Sequence, residues 1–380
     1  MLGKILCPYC FERFSRSELE FRCMNTRKCA PELDLAYGRF RGKDAGEFAG
    51  RVVASRSFGL FLPSSATCSA CGEKTNKPLC PHCHNEPPGT LLDRGADTIG
   101  LVGGQGAGKS HYITVLIEEL RSRIGSRVGL SCMTLGDETR SRVTAGNAHR
   151  LYSEKRTLDP TPPAATDASI HYPFILDLSR ERWFRKPRCA ALSFFDTAGE
   201  DLNALDTMRT EGRYITNSKG LILLVDPLAQ QHGYDVRGLV ERVVELFGTR
   251  GRSSASGKIK TPLAVVFSKF DVIRDLPGLV RGDSVLRCDP AHEGAFDLSD
   301  SERVHDELRG LSERWFGGPG FHDTLESQFS RFRYFAVSAL GAAPQGEQLP
   351  SGIAPFRIAD PILWHLHSLG LVPGRRGPRP

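Results

Sequence analysis

Along most of the chain, short apolar runs with charged or glycine-rich borders alternate with longer stretches that are apolar on one helical face. Thr98-Ile99-Gly100-Leu101-Val102 and Leu263-Ala264-Val265-Val266-Phe267 have the length and borders of buried strands. Tyr334 to Leu340 reads as one more strand, and Ile170–Leu178 and Cys189–Phe195 as a pair joined across Arg180–Arg188. Tyr112 to Leu120 has apolar residues at helical spacing. A helix from about Ser299 puts Val304, Leu308, Leu311 and Trp315 on one face, and one over Ala359–Leu369 presents Ile362, Leu363, Leu366 and Leu369. The first ninety residues break this pattern, being rich in Arg, Gly, Ser and Pro with few long apolar runs. Pro87-Pro88-Gly89 marks the border.

Between the first strand and its helix stands Gly103-Gly104-Gln105-Gly106-Ala107-Gly108-Lys109-Ser110, a complete G-x-x-x-x-G-K-[ST] phosphate loop. Glycines let the backbone curl so that successive N–H groups point at phosphate oxygens, and the helix N-terminus at His111 adds partial positive charge. Lys109 is expected on the β- and γ-phosphates, and the Ser110 hydroxyl on Mg²⁺. Phe194-Phe195-Asp196-Thr197-Ala198-Gly199 then ends a strand in Asp-x-x-Gly. Asp196 can hold Mg²⁺ through water, and the Gly199 N–H can bond a γ-phosphate, so the following loop can sense that phosphate. Ser268-Lys269-Phe270-Asp271 follows the second buried strand. The Asp271 carboxylate can accept from N1–H and N2–H₂ of guanine, a donor pair that adenine lacks, while the Lys269 stem lies along the purine. Ser338-Ala339-Leu340 closes the last strand and offers a backbone N–H to the guanine O6. A P-loop ATPase or nucleotide kinase would share the phosphate loop; Asp271 is what separates them.

In this order the four stretches resemble the Ras-like, translation-factor-related (TRAFAC) class of P-loop GTPases, over roughly residues 95–370. The resemblance implies an α/β fold with a doubly wound, mostly parallel sheet and helices on both faces. It implies GTP and GDP as ligands, Mg²⁺ as cofactor, and GTP hydrolysis. A switch threonine should join Ser110 and Asp196 on Mg²⁺. Thr161, flanked by Pro160 and Pro162, is the choice; Thr166 and Thr157 are alternatives, and plain loop residues are a further reading. Lys109, Thr161 and Glu200 are the expected catalytic groups. Glu200 stands where the class usually has a water-orienting Gln, and a solvated charge is an equal reading. Ras has Gly where Gln105 stands, and Asn or Thr is usual where Ser268 stands. Glu200 and Gln105 predict hydrolysis that is slow or organised by other groups, while Ser268 can still bond to the phosphate loop. A non-hydrolysing GTP-bound scaffold is the limiting case. The long spacing from Ser110 to Asp196 requires an insertion near 121–156, with an added strand over Arg127–Met133 and a helix over Glu138–Tyr152. A second insertion is expected near 274–333, within a GTPase domain spanning 91–372.

Eleven cysteines carry a second chemistry. Cys7-Pro-Tyr-Cys10 is followed by Cys23 and Cys29, and Cys68-Ser-Ala-Cys71 by Cys80-Pro-His-Cys83. Each Cys-x-x-Cys turn can supply one edge of a tetrahedral zinc site. The expectation is two structural zincs, one on Cys7, Cys10, Cys23 and Cys29 and one on Cys68, Cys71, Cys80 and Cys83, with exchange between the sets as the alternative. His82 or His84 replacing a cysteine is a lesser alternative. Zinc in residues 1–90 would supply the stability that a thin core cannot. Gly38 to Arg56, polar and basic, is expected to be mobile, and Cys132, Cys189 and Cys288 to be buried as small apolar groups. No apolar h-region precedes the first cysteine pair, so the expected compartment is a reducing cytoplasm.

The formal charge is +6. Two zinc sites, each about −2 with four thiolates, would remove most of it, so charge argues only weakly for nucleic acid. Salt-dependent binding of nucleic acid by residues 1–90 is the rival reading. Residues 373–380 form a short basic tail expected to be disordered. No apolar run is long enough to span a membrane. Zinc ribbons ahead of a large-insert Ras-like domain resemble the bacterial double-GTPase proteins. That resemblance implies a regulatory switch in a signalling or conflict system and a protein partner docked by the ribbons, a second GTPase among the candidates.

Overall fold

The computed structural model describes residues 4–55, 63–94, 97–104, 106–160, 172–182, 185–194, 212–228, 235–249, 257–276 and 279–377. Seven longer strands organise the C-terminal three quarters of the chain: β1 (Ile99–Gly103), β2 (Ser131–Leu135), β3 (Phe174–Arg182), β4 (Arg185–Phe194), β5 (Gly220–Val225), β6 (Leu263–Phe267) and β7 (Phe332–Ala336). Four of them form a parallel sheet in the order β1-β5-β6-β7. Both faces of this sheet are covered. In β5, Ile222 and Leu224 enter one core while Leu221, Leu223 and Val225 enter the other, and β6 divides its residues in the same way. That is why these strands read as unbroken apolar runs.

On one face lie α1 (Lys109–Glu119) and the C-terminal helix Asp360–Ser368, through residues such as Ile113, Leu116, Ile362 and Leu366. The other face carries Val236–Thr249, Leu298–Trp315, Gly320–Gln328 and a short helix over 212–217. Val304, Leu308 and Leu311 are buried there as their spacing predicts. The α/β architecture with helices on both faces is therefore the observed one.

β2, β3 and β4 form a separate antiparallel sheet. Here the expected bounds shift. β3 continues to Arg182 and β4 begins at Arg185, so the arginine-rich stretch is strand rather than a long connection. The added strand is Ser131–Leu135, not Arg127–Met133, because Gly125–Arg127 still belongs to the preceding helix and Gly129 turns the chain at φ +70°. β7 ends at Ala336, earlier than expected, because the residues after it turn away to line a cavity.

Other expectations are corrected. Gly38 to Ser55 is ordered into the end of a helix and two strands, Glu47–Ala49 and Val52–Ala54, with Asp34 capping that helix through the Tyr37 N–H. Gly374–Arg375 pairs in parallel with Phe296–Asp297, so the tail begins as structure. Cys132 and Cys189 are only half-buried and Cys288 is exposed. Among the described residues, no helix is long and apolar enough to cross a membrane.

Candidate nucleotide site and metal centres

Parallel strands align their carboxyl ends, and here that alignment assembles a cavity of about 570 Å³. Gly104 and Gly106 to His111 of the phosphate loop form one wall. Ser268, Lys269 and Asp271 beyond β6, and Ser338 to Leu340 beyond β7, form another; Thr157 to Pro160 close a third side. Segments more than 200 residues apart in sequence thus meet at one sheet edge.

The loop's shape follows from its glycines. Gly106 and Gly108 take φ of +71° and +84°, where a side chain is strained. A Cβ on Gly103 would stand 2.9 Å from the Leu224 carbonyl oxygen. Lys109 is buried, and its ammonium donates to the Gly103 and Gly104 carbonyls at 2.7 and 3.2 Å. Those are weak neutral partners that a phosphate would outcompete.

At the far wall, the Ser338 hydroxyl donates to Asp271 Oδ1 at 2.5 Å and accepts from the Gly341 N–H at 2.8 Å. Sequence reading assigned Ser338 only a backbone contact; its side chain also aims the Asp271 carboxylate. Lys269 sits at φ +53° with its ammonium 2.8 Å from Asp226 Oδ2. Asp226 was not singled out in the sequence, although a carboxylate ending the all-apolar β5 is the signal for it. Ser268 is buried and donates to the Val225 carbonyl at 3.2 Å, so its bond goes to the neighbouring strand rather than to the phosphate loop. A serine hydroxyl on one carbon is too short to cross further.

His111 Nε2 accepts from the Leu158 N–H at 3.1 Å. Burial, with the Lys269 charge second, lowers its pKa from 6.5 to about 4, which keeps it neutral and able to accept. Arg150 holds the same segment through the Thr157 carbonyl, at 2.6 Å, and Asp159, at 2.7 Å. Thr157 lines the cavity. Thr161, Thr166, Gln105, Asp196, Gly199 and Glu200 lie outside the described residues.

Near the N-terminus, eight cysteines form two four-sulfur groups, but not the two expected. One is Cys7, Cys10, Cys80 and Cys83; the other is Cys23, Cys29, Cys68 and Cys71. The expected sets exchange pairs. The cause is a long-range pairing: Glu20–Arg22 runs antiparallel to Lys77–Leu79, with Glu20 opposite Leu79 and Arg22 opposite Lys77. Cys80 therefore leaves the ribbon at the Glu20 end, the end that leads back in sequence to Cys10, while Cys23 leaves the opposite end.

Three of the cysteine pairs are built alike. The N–H of Phe11, Gly72 and His84 returns to the carbonyl of Cys7, Cys68 and Cys80, and each of the three takes a left-handed φ. Sulfur–sulfur distances between pairs are 3.7 Å for Cys7–Cys83 and Cys10–Cys80, 3.6 Å for Cys23–Cys71 and 4.0 Å for Cys29–Cys68. A tetrahedron with Zn–S near ~2.3 Å has edges of about 3.8 Å, whereas a disulfide needs about 2.0 Å. The two groups thus fit zinc ribbons. His84 is not a ligand: it faces Asp34 at 2.7 Å and Glu20 at 3.2 Å, beside the buried Arg22–Asp34 pair. His82 is exposed.

The family model for Double-GTPase 2 matches residues 97–287, half of the chain. The chain is 30% identical over 328 residues to the Mycolicibacterium smegmatis protein named "Putative ESX-1 scaffolding and assembly protein SaeC", covering 77% of this chain and 80% of that one. Solved structures with similarity include the Arl6 BBS3 small GTPase from Trypanosoma brucei, at 11% identity, 72% and 96% coverage and a TM-score of 0.31. The S. cerevisiae Ski7 GTPase-like domain bound to GTP gives 13% identity, 70% and 51% coverage and a TM-score of 0.33. Scores this low carry no argument, and the family rests on the sequence matches. The chain is a P-loop GTP hydrolase that binds guanine nucleotide, and it belongs to the Double-GTPase 2 family.

Proposed function

We propose that the chain is a GTP-dependent switch whose zinc module engages a protein partner. The observation that carries this reading is the convergence of the phosphate loop, Asp271 and Ser338 on one cavity. In it, Lys109 and the loop amides take the phosphates and Asp271 selects guanine, with Ser338, Ala339 and Leu340 at the base. Ser110, Asp196 and one threonine hold Mg²⁺. Thr161 keeps its place as the preferred threonine on sequence grounds, and Thr157 gains support from its position on the cavity wall. Mg²⁺ would neutralise charge on the transferring phosphoryl group, and Gly199 would report the γ-phosphate to the chain beyond it. Glu200 is the proposed water-positioning group, and turnover is proposed to be slow.

The two cysteine groups are proposed to hold zinc in a module over residues 1–90, and the GTPase domain to span 91–372. A protein partner draws support from the name of the Mycolicibacterium smegmatis relative, which speaks of scaffolding and assembly; GTP state would then control the assembly of a protein complex in the cytoplasm. Affinities for GDP, GTP, ADP and ATP test the central claim. Asp271→Asn should weaken guanine nucleotides by roughly a hundredfold or more, the worth of two charge-assisted bonds, and favour xanthine nucleotides. Equal ATP and GTP binding, unchanged by Asp271→Asn, would remove the guanine-switch reading.

A further inference from the structure

We propose that Tyr214 is a positioning residue for GTP hydrolysis, held in place by the Cys7–Phe11 knuckle of the zinc module. β1 carries the phosphate loop, while β4 leads in sequence to Asp196. These two strands belong to different sheets. Between them stands one side-chain hydroxyl. Tyr214 Oη accepts from the Leu101 N–H at 2.7 Å and lies 3.2 Å from both the Ile99 and the Ser193 carbonyl oxygens. Its single proton can serve either carbonyl. The hydroxyl thus takes the place of a rung between the strands, in a site where Tyr214 is 3% exposed.

Leu101 lies two residues before Gly103, and Ser193 three residues before Asp196. The hydroxyl therefore fixes the spacing of the strand that carries the phosphate loop relative to the strand that precedes the Asp-x-x-Gly residues in sequence. Base recognition sits elsewhere, beyond β6 and β7. A shift at Tyr214 should therefore act on the γ-phosphate chemistry and leave guanine affinity largely intact.

Tyr214 is itself clamped by the knuckle. The Phe11 ring packs against its ring at 5.2 Å between centroids. The Asn217 amide donates to the Phe11 carbonyl at 3.2 Å, and Arg213 pairs with Glu12 at 2.8 Å. Ser193 Oγ donates to the Pro8 carbonyl at 3.4 Å. The helix over 212–217 and β4 are thus both fastened to the turn that supplies Cys7 and Cys10.

The inference rests on reading Asp196 as a group on the γ-phosphate side, so Asp196→Asn is measured beside the other variants. The experiment is single-turnover GTP hydrolysis by the full chain, with GDP and GTP affinities, zinc content and melting temperature. Tyr214→Phe should slow hydrolysis about tenfold or more while GDP affinity stays within about twofold. Phe11→Leu, with zinc retained, should slow it less, and the double variant should be no slower than Tyr214→Phe because both act through one contact. Hydrolysis within about twofold of the parent in Tyr214→Phe, or GDP affinity falling as far as the rate, overturns the proposal. If Tyr214→Phe does not fold, Phe11→Leu decides: full zinc and an unchanged rate overturn it. An unchanged rate in Asp196→Asn overturns the underlying reading instead, and with it the route from Tyr214 to the reaction.

Discussion

Around the cysteine groups Met24, Leu33, Leu35 and Phe48 are exposed, and only a small core that includes Phe14, Leu19, Phe21 and Leu79 is buried beside the sulfurs. Around the parallel sheet the core is continuous, with β5 and β6 buried along their whole length. One region is held by two nodes of four ligands around a small core, the other by two continuous apolar layers. The difference teaches where each region is vulnerable. A node fails when one ligand is lost, whereas a layered core loses stability in proportion to what is cut away.

The largest expected effect tests the interleaving of the nodes. Cys10→Ser with Cys80→Ser removes two ligands from one group and should leave about one zinc per chain. Cys10→Ser with Cys71→Ser damages both groups and should leave none. Groups formed in chain order would make the first variant lose both zincs as well. Metal analysis of the full chain separates the cases, and structural zinc contributes on the order of 10 kcal/mol to such a fold.

A smaller effect probes the layered region at Arg357, a fully buried cation in an ion network. The Arg357 guanidinium, with no side-chain exposure, meets Asp300 at 2.6 Å and Asp360 at 2.7 Å, and His292 meets Asp360 at 2.7 Å. This network ties the helix Leu298–Trp315 to the helix Asp360–Ser368. Arg357→Met should cost about 3–5 kcal/mol in denaturant unfolding, because the buried Asp300 and Asp360 carboxylates lose their guanidinium. A cost near that of an exposed pair, below about 1 kcal/mol, would break the contrast.

These features were not equally legible in the sequence. The sheet was, because a strand buried on both faces writes itself as an apolar run, as in Leu263–Phe267. The phosphate loop was too, since its chemistry depends on neighbours in the chain. The grouping of the cysteines was not: spacing within Cys68–Cys83 favours one local site, while the outcome depends on Glu20 lying opposite Leu79. Tyr214 was equally silent, because its role depends on a gap between two strands about ninety residues apart. Asp271 could be picked from its motif, but the serine that aims it could not be assigned that task before Ser338 and Asp271 stood 2.5 Å apart.

Two histidines give the smallest effect and oppose each other in sign. For His84, burial alone would lower the pKa, but hydrogen bonds to Glu20 and Asp34 carry it above 6.5. A raised histidine contributes stability that is full below 6.5 and is lost as pH rises through its folded value. His111 is lowered to about 4, so the bond it accepts from Leu158 is intact above 6.5 and lost as pH falls toward 4. Acidification should therefore loosen the wall of the nucleotide cavity while it strengthens the ionic contact beside the zinc module. GDP dissociation should quicken a few-fold as pH falls from 7 to about 4, as befits one hydrogen bond of about 1 kcal/mol. His111→Gln, which can accept from Leu158 without titrating, should flatten that rise. His84→Gln should leave it in place and instead remove the alkaline decline in the melting of the zinc module. Zinc content followed across the same range separates either effect from protonation of the cysteines. If His111→Gln keeps the full pH dependence, the cavity wall is not held by the imidazole.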